Sequence, residues 1–295
     1  MQSDQGKPIG MAAAFPRRTL IQGRQVLGWV LGDFCISDEH RSLGPALQLQ
    51  RACLEAVDSG TSAFCYDFPS NGMMAVYRRL RMPATGSMVR LAKPLRVDRK
   101  VRELVKVPLI SQCISAAGNF LLNLMDDMPS PSRDLECSLQ QHPCGEEFTT
   151  LAQRVAGQWG NHVERSAAYL NWRFFSNPLS RHEMLVVRSQ GHLIGYAVFT
   201  QIGEDGTLID VFGETDPKVI GGLLQALLRL LRERRVVTVS APLYSSHPGV
   251  DLFVEHGFKK REHIPVVVHW APHIGKQVNG TKESAWWLTS GDRDS

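Results

Sequence analysis

The 295-residue chain has six cysteines (Cys35, Cys53, Cys65, Cys113, Cys137, Cys144) but no CxxC pair and no cysteine–histidine spacing of the kind that holds zinc, so no metal is expected. It has no long run of basic residues: the net charge is only +4, and arginines and lysines are scattered among acids, which argues against nucleic acid as a partner. Its opening residues do not read as a secretory leader, so none is expected, and free thiols in a reducing cytoplasm are the expectation. It also has no uninterrupted apolar stretch of membrane-spanning length. The best approach to one, "VPLISQCISAAGNFLLNLM" at 107–125, is broken by Ser, Gln and Asn and interrupted at its start by Pro108. A packed helix between domains is the expected role of 107–125, with a peripheral, interfacial contact to a membrane as the alternative.

What is present is an ordinary globular composition, 43% hydrophobic and 21% charged, in a length that suits two domains better than one. An internal repeat supports that division. "QGKPIGMA" at 5–12 matches "QGHLIGYA" at 190–197, a glycine turn followed by the start of an apolar strand. After the first copy come the apolar segment 26–37, a helix over 45–58, the strand 62–68, a short helix "MMAVYRRLRM" and the strand region "MVRLAKPL". After the second come "TLIDVFG" (207–213), a helix over 217–234, "VVTVSAP" (236–242), "GVDLFVEHGF" and "IPVVVHWAP". Strands alternating with helices predict an α/β layer architecture in both halves.

The first helix places Ala46, Cys53, Leu54 and Val57 on one face and stops at Gly60. The second starts on Asp216-Pro217 and ends among Arg232, Arg234 and Arg235, which complement its negative terminus. Ahead of the second repeat lie two helical patterns, "EEFTTLAQRVAGQW" and "VERSAAYLNWRF", and the strand "EMLVVRS"; ahead of the first there are only four residues. The prolines and serines of 127–145 suit a linker. The expected organisation is an N-terminal domain at 1–97, a helical connector and linker at 98–145 and a C-terminal domain at 146–295.

Between the strand of 26–37 and the helix of 45–58 stands Arg41-Ser42-Leu43-Gly44-Pro45-Ala46. A tight turn feeding a helix can converge backbone N–H donors, with the positive end of the helix dipole behind them, on a diphosphate. Gly44 has no Cβ to obstruct a ligand, Pro45 presets the first turn, Ala46 keeps it slim and Arg41 adds charge.

In this order, Arg-x-x-Gly-x-Ala resembles the acyl-CoA-binding segment of the GNAT acyltransferase superfamily, whose signature is Arg/Gln-x-x-Gly-x-Gly/Ala; Arg41, Gly44 and Ala46 match it. The tandem arrangement, "GDFCISDEHRSLGPALQLQRACLE" and "YLNWRF" also resemble double-GNAT proteins of bacterial envelope or polysaccharide loci. The resemblance implies two mixed-sheet GNAT-like α/β domains in tandem, the first without its opening strand-helix-helix-strand. It implies a cytoplasmic acyl-CoA-dependent N-acyltransferase, most naturally with acetyl-CoA, acting on a small-molecule or saccharide amine such as an amino sugar.

The same resemblance puts the strand-edge donors for the thioester carbonyl at Cys35, Ile36 and Ser37, and the nucleotide contacts at Arg41, Ser42, Leu43, Gly44, Pro45 and Ala46. It makes Tyr77 the acid for the leaving thiolate; an amphipathic tyrosine packed at the surface is the alternative. The family closes that helix with Gly-Phe, where this half has Arg81-Met82 and the second half keeps Gly257-Phe258. Asp33 and Asp210, at corresponding places in two apolar strands, either share a structural hydrogen bond or accept the amine's proton.

Glu39 and His40 read as solvated loop residues, and Cys35 lacks a histidine to activate it. Glu214 and Asp216 put negative charge where a diphosphate would lie in the second half, which therefore reads as a degenerate copy. Trp172 and Arg173 are expected in aromatic core packing, with an acceptor groove as the alternative. Two rival functions stand beside the enzyme: a non-catalytic double-GNAT scaffold, and an aminoacyl-transfer enzyme of the Fem kind, which the retained Arg41-x-x-Gly44 disfavours.

Overall fold

A computed structural model describes residues 1, 6–125, 134–274 and 286–294. The first half forms β1 (Gly10–Ile21), β2 (Arg24–Ile36), α1 (Leu43–Asp58), β3 (Phe64–Asp67), α2 (Asn71–Arg79) and β4 (Gly86–Pro94). The connector contributes α3 (Asp98–Leu104) and α4 (Pro108–Met125). There follow β5 (Glu136–Leu139), α5 (Glu146–Val155), β6 (His162–Val163), α6 (Ala167–Leu170) with a π turn at Asn171–Phe175, β7 (Glu183–Ser189) and β8 (His192–Ile202). The chain continues through β9 (Asp205–Gly213), α7 (Pro217–Glu233), β10 (Thr238–Tyr244), α8 (Gly249–Glu255) and β11 (Lys259–Trp270).

The two expected domains share one sheet of eleven strands, in the order β5-β7-β8-β9-β10-β4-β11-β3-β2-β1-β6. In each half a hairpin leads to a strand that runs parallel to the next one after a helical crossover: β2 to β3, and β9 to β10. The last strand of each half then inserts beside the parallel pair of the other. β4 pairs with β10 from Thr238↔Pro94 to Tyr244↔Met88, and β11 pairs with β3 from Val267↔Asp67 to Trp270↔Phe64. β4 and β11 are themselves antiparallel neighbours, so the centre of the sheet is built from both halves.

The helices form where periodicity and capping agree. In α7 the buried stripe Val219, Leu223, Leu224, Leu227, Leu228 and Leu231 follows the helical repeat, each leucine contributing about 1.5–3 kcal/mol. Asp216 Oδ1 accepts the amide of Lys218 at 2.8 Å and Pro217 holds the first helical position. In α1 the buried face is Ala46, Gln50, Leu54 and Val57, with Cys53 only half-buried, and Gly60 adopts φ +86° just beyond the end. At the ends of α2 and α8 the same left-handed conformation recurs, carried by Arg81 (φ +60°) in one half and by Gly257 (φ +82°) in the other.

Three expectations change. Within the stretch read as a linker, 126–133 lie outside the described residues, but Glu136–Leu139 is an edge strand on β7. Leu135, Cys137 and Leu139 alternate onto the core beneath α7, a period-two signal that the surrounding prolines and serines obscured. Beside β1, the sheet position that the first half was expected to lack is taken by β6 from the second half, through Thr19↔Val163 and Leu20↔His162. Finally, α4 does not bury its apolar face. Ser111 and Ser115 point inward, while Leu109, Ile110, Ile114, Phe120 and Leu121 are exposed.

Candidate active site in the open gap of the sheet

β2 and β3 are paired over only three positions, Gly28↔Phe64, Trp29↔Cys65 and Val30↔Tyr66, and then part. A cavity of about 670 Å³ occupies the opening, walled by β2 from Leu31 to Ile36, by α1, by Asp67–Ser70 and by α2. Strand edges that diverge keep backbone donors and acceptors without ladder partners, so a groove there offers hydrogen bonds to a ligand. Its position at the carboxyl ends of parallel strands is where open α/β sheets bind ligands.

On one wall, β2 is bulged: Ala13 pairs with Gly32 but Met11 with Cys35, and Asp33 within the bulge has φ +48°. Asp33 is exposed there and lines the cavity. The bulge is closely approached by the C-terminal segment, since a Cβ on Gly32 would lie 1.8 Å from the Asp294 carboxylate. Only glycine permits that contact, and it brings Arg293 and Asp294 into the cavity lining.

At the mouth, the sixteen-residue α1 points its N-terminus toward the cavity, lined at Arg41, Ser42, Leu43 and Ala46. The amides of Leu43 and Gly44 belong to the first turn, which has no intrahelical acceptor, and the Ser42 side chain makes no capping bond. Arg41 forms an exposed ion pair with Asp38 at 2.7 Å, a contact worth about 0–1 kcal/mol and easily exchanged for a phosphate.

The floor carries a hydrogen-bonded chain. Gln50 Nε2 donates to the Tyr77 hydroxyl at 3.1 Å, and that hydroxyl donates to Asp67 Oδ2 at 2.7 Å. Burial pushes the Asp67 carboxyl up to about 6; the Tyr77 bond opposes the rise and the Asp294 charge adds to it. The same burial, with Asp67 beside it, raises the Tyr77 phenol far above its ordinary range.

Of the residues singled out from sequence, Asp33, Cys35, Ile36, Arg41, Ser42, Leu43 and Ala46 line the cavity. Ser37, Gly44, Pro45 and Tyr77 do not. The Ser37 amide is already bonded to Ile9 O at 2.9 Å, which removes it as a donor to a ligand. Gly44 stands next to the lining with nothing within 4 Å of a Cβ. Tyr77 lies beneath the floor, bonded to the lining residues Gln50 and Asp67, neither at the protein surface nor facing the cleft.

Asp33 and Asp210 are not equivalent. Asp33 sits in an exposed bulge, whereas Asp210 is fully buried, accepting bonds from Arg165 (2.9 and 3.0 Å), Tyr196 (3.1 Å) and Thr289 (2.8 Å). Trp172 is not in the core either; it is 56% exposed, with the Arg17 guanidinium 5.4 Å from its ring centre. Arg173 instead ties down the C-terminal segment, donating to Gly291 O at 3.0 Å and Arg293 O at 2.8 Å.

Asp67 and Asp294 were missed. "CYDFPS" held a usable sign of the first, a carboxylate closing a buried strand that parallels another. Nothing local marks Asp294, whose place depends on a contact across the whole chain.

In the second half β9 and β10 also pair at three positions and part, but protein fills the space. Thr289 bridges to Leu243, Tyr244 N donates to Leu288 O at 2.8 Å, and Arg165 Nη2 joins Asp210 to Asp292. Glu214 is paired with Arg154 at 3.0 Å and Asp216 is used as a helix cap.

No protein-family model and no curated protein matches the sequence. Solved structures do resemble the fold. A GCN5-related N-acetyltransferase from Anabaena variabilis superposes with a TM-score of 0.62 at 15% identity, over 90% of this chain and 60% of that one. A probable N-acyltransferase from Enterococcus faecalis gives 0.61 at 12% identity, with 90% and 60% covered. The N-myristoyltransferase of Saccharomyces cerevisiae, solved with bound myristoyl-CoA, gives 0.58 at 13% identity, with 90% and 68% covered. The chain has the GNAT fold, and it spans about 60% of the length of the first two of these proteins.

Proposed function

We propose that the cavity between β2 and β3 binds an acyl-CoA thioester and that the protein transfers the acyl group, acetyl in the first instance, to a primary amine. The observation that carries this reading is the convergence of three features on one cavity: the open edge of β2, the uncapped N-terminus of α1 and a carboxylate poised near neutrality. Their place in a GNAT fold supports it.

In this reading the first-turn amides of α1 and Arg41 hold the diphosphate, and the pantetheine arm lies along the open edge of β2. An amide of that edge near Cys35 or Ile36 stabilises the carbonyl oxygen as it gains charge. Asp67 and Asp294 favour a cationic amine over a neutral alcohol as acceptor. An amine of a small molecule or of an amino sugar fits that preference.

The bound ammonium first releases one proton to solvent, and Asp67 takes a second from the resulting neutral amine as its nitrogen attacks the thioester carbon. The C–N bond forms, the C–S bond breaks, and the departing thiolate gains the proton that the amine lost. Tyr77 positions Asp67 and keeps its ionised form accessible; it does not reach the thiolate. A site that consumes acyl-CoA suits the cytoplasm, where the reduced state of the six cysteines is also maintained.

Calorimetric titration with acetyl-CoA tests this. Saturable binding by the unaltered chain is expected, and loss of at least about a hundredfold in affinity on Gly44→Glu, which sets a carboxylate against the diphosphate. Open space around Gly44 and the helix dipole both tolerate the substitution, so unfolding should be unchanged. A flat titration with the unaltered chain overturns the proposal.

A further inference from the structure

The helix α4 has its amphipathicity inverted. At 100° per residue, Val107, Ile110, Ile114 and Leu121 fall within a sector of about 60°, and Leu109 and Phe120 widen it to about 160°. These six side chains are between 45% and 77% exposed. The opposite sector carries Ser111, Ser115, Gly118 and Asn119, and it is this small, polar side that meets the protein. A Cβ on Gly118 would lie 2.7 Å from Val97, and Asn119 Oδ1 accepts the Val97 amide at 2.8 Å while its Nδ2 donates to Asp98 at 3.0 Å. Helices of water-exposed surfaces are arranged the other way round, because exposed apolar area is the unfavourable one.

No residue from 107 to 125 is charged, whereas 96–106 carries five cations against two carboxylates. Arg96, Arg99 and Arg102 are tied to Asp98, Glu204 and Asp205, but Lys100 and Lys106 are exposed and carry no ion pair among the described residues. Between α3 and α4 runs a groove of about 490 Å³ whose lining sets Arg96, Arg102 and Lys106 against one carboxylate, Asp98, itself paired with Arg96, and adds the hydroxyls of Ser111 and Ser115, a net cationic setting suited to a phosphate headgroup. No described helix is long and apolar enough to cross a membrane.

We propose that α4 lies in the plane of an anionic lipid surface, its apolar half-cylinder among the acyl chains and the cations of 100–106 at the headgroups. The width of the apolar arc favours a bilayer over a second copy, since a helix–helix seam needs a narrower stripe, and the adjoining cations select anionic lipid. This inference stands apart from the acyl-CoA site, and its test reads no CoA chemistry.

The test is flotation of the full chain with vesicles of phosphatidylcholine alone and of phosphatidylcholine containing about 30 mol% phosphatidylglycerol. The protein should rise with the mixed vesicles at least about tenfold more than with phosphatidylcholine alone. Ile110→Ser/Ile114→Ser/Leu121→Ser and, separately, Lys100→Gln/Lys106→Gln should each lower partitioning at least about tenfold, with circular dichroism unchanged. The lysine variant keeps the test decisive should the serine variant unfold. Absence of flotation with either vesicle, or flotation undiminished in the lysine variant, overturns the proposal. So does self-association in the ultracentrifuge that the serine variant abolishes without any vesicle binding, which would identify a second copy as the occupant.

Discussion

Between β2 and β3 the strands part around a cavity of about 670 Å³; between β9 and β10 they part after the same three paired positions around a segment of the chain itself. In the second gap Leu288 is buried, and Asp292 and Thr289 complete a network with Arg165 and Asp210 that leaves none of the four more than 3% exposed, while Trp286 of the same segment packs on Phe64, Tyr66 and Trp270. In the first gap the same segment contributes only its last described residues, Arg293 and Asp294, at the edge of an open space. Two similar strand gaps thus have two fates. A gap in a sheet is satisfied either by protein that stays or by a ligand that comes and goes, and a single C-terminal segment decides both, plugging one gap and furnishing a carboxylate to the other.

The largest effect should come from breaking the plug. Arg165→Ala would leave Asp210 and Asp292 buried without their counter-charge, and a loss of about 3–5 kcal/mol is expected in denaturant unfolding. A loss below about 1 kcal/mol would mean that the filled gap is held by packing alone. The open gap should respond in activity and not in stability. Asp67→Asn should lower turnover about a hundredfold.

For the unaltered chain the acid limb should lie near pH 6, because the carboxyl must lose its proton before it can accept one. The sign for folding is opposite to that of an ion-paired carboxylate. With its folded value raised, Asp67 binds its proton more tightly in the folded state, so its contribution to stability falls as pH rises from about 4 through about 6. The asparagine variant should lose that slope. A smaller change is expected from Tyr77→Phe, at most about tenfold in rate. Its diagnostic is the acid limb, which should move to higher pH because the bond that favours ionised Asp67 is gone. A limb that stays in place would show that Tyr77 does not act through Asp67.

Much of this difference was visible in the sequence, and the reasons are local. The α1 and α7 helices and the strand that follows each depend on period and local signals within a dozen residues, and the structure places them within a few residues of expectation. Glu214 and Asp216 already marked the second turn as unsuited to an anion. The exchange of β4 and β11 was not legible, because strand order is a property of pairing and not of pattern. Nor was the plug, since Trp286 to Asp294 acts through partners more than a hundred residues away, such as Arg165 and Tyr66. Tyr77 was read either as the acid for the thiolate or as a tyrosine packed at the surface, and the side of its helix that it faces was not legible. Met74 and Tyr77 share the buried side of α2, and only the position of Asp67 shows where the hydroxyl goes. The apolar character of 107–125 was legible, but pattern alone cannot say which side of a helix faces the protein.

The central claim is that the two gaps differ in kind, one a ligand site and the other a filled core. Hydrogen–deuterium exchange with and without acetyl-CoA tests it most directly. The account predicts slowed exchange on binding at residues 32–46 and 67–73, and no change at 207–219. Protection at 207–219, or no protection anywhere in 32–46, would contradict it.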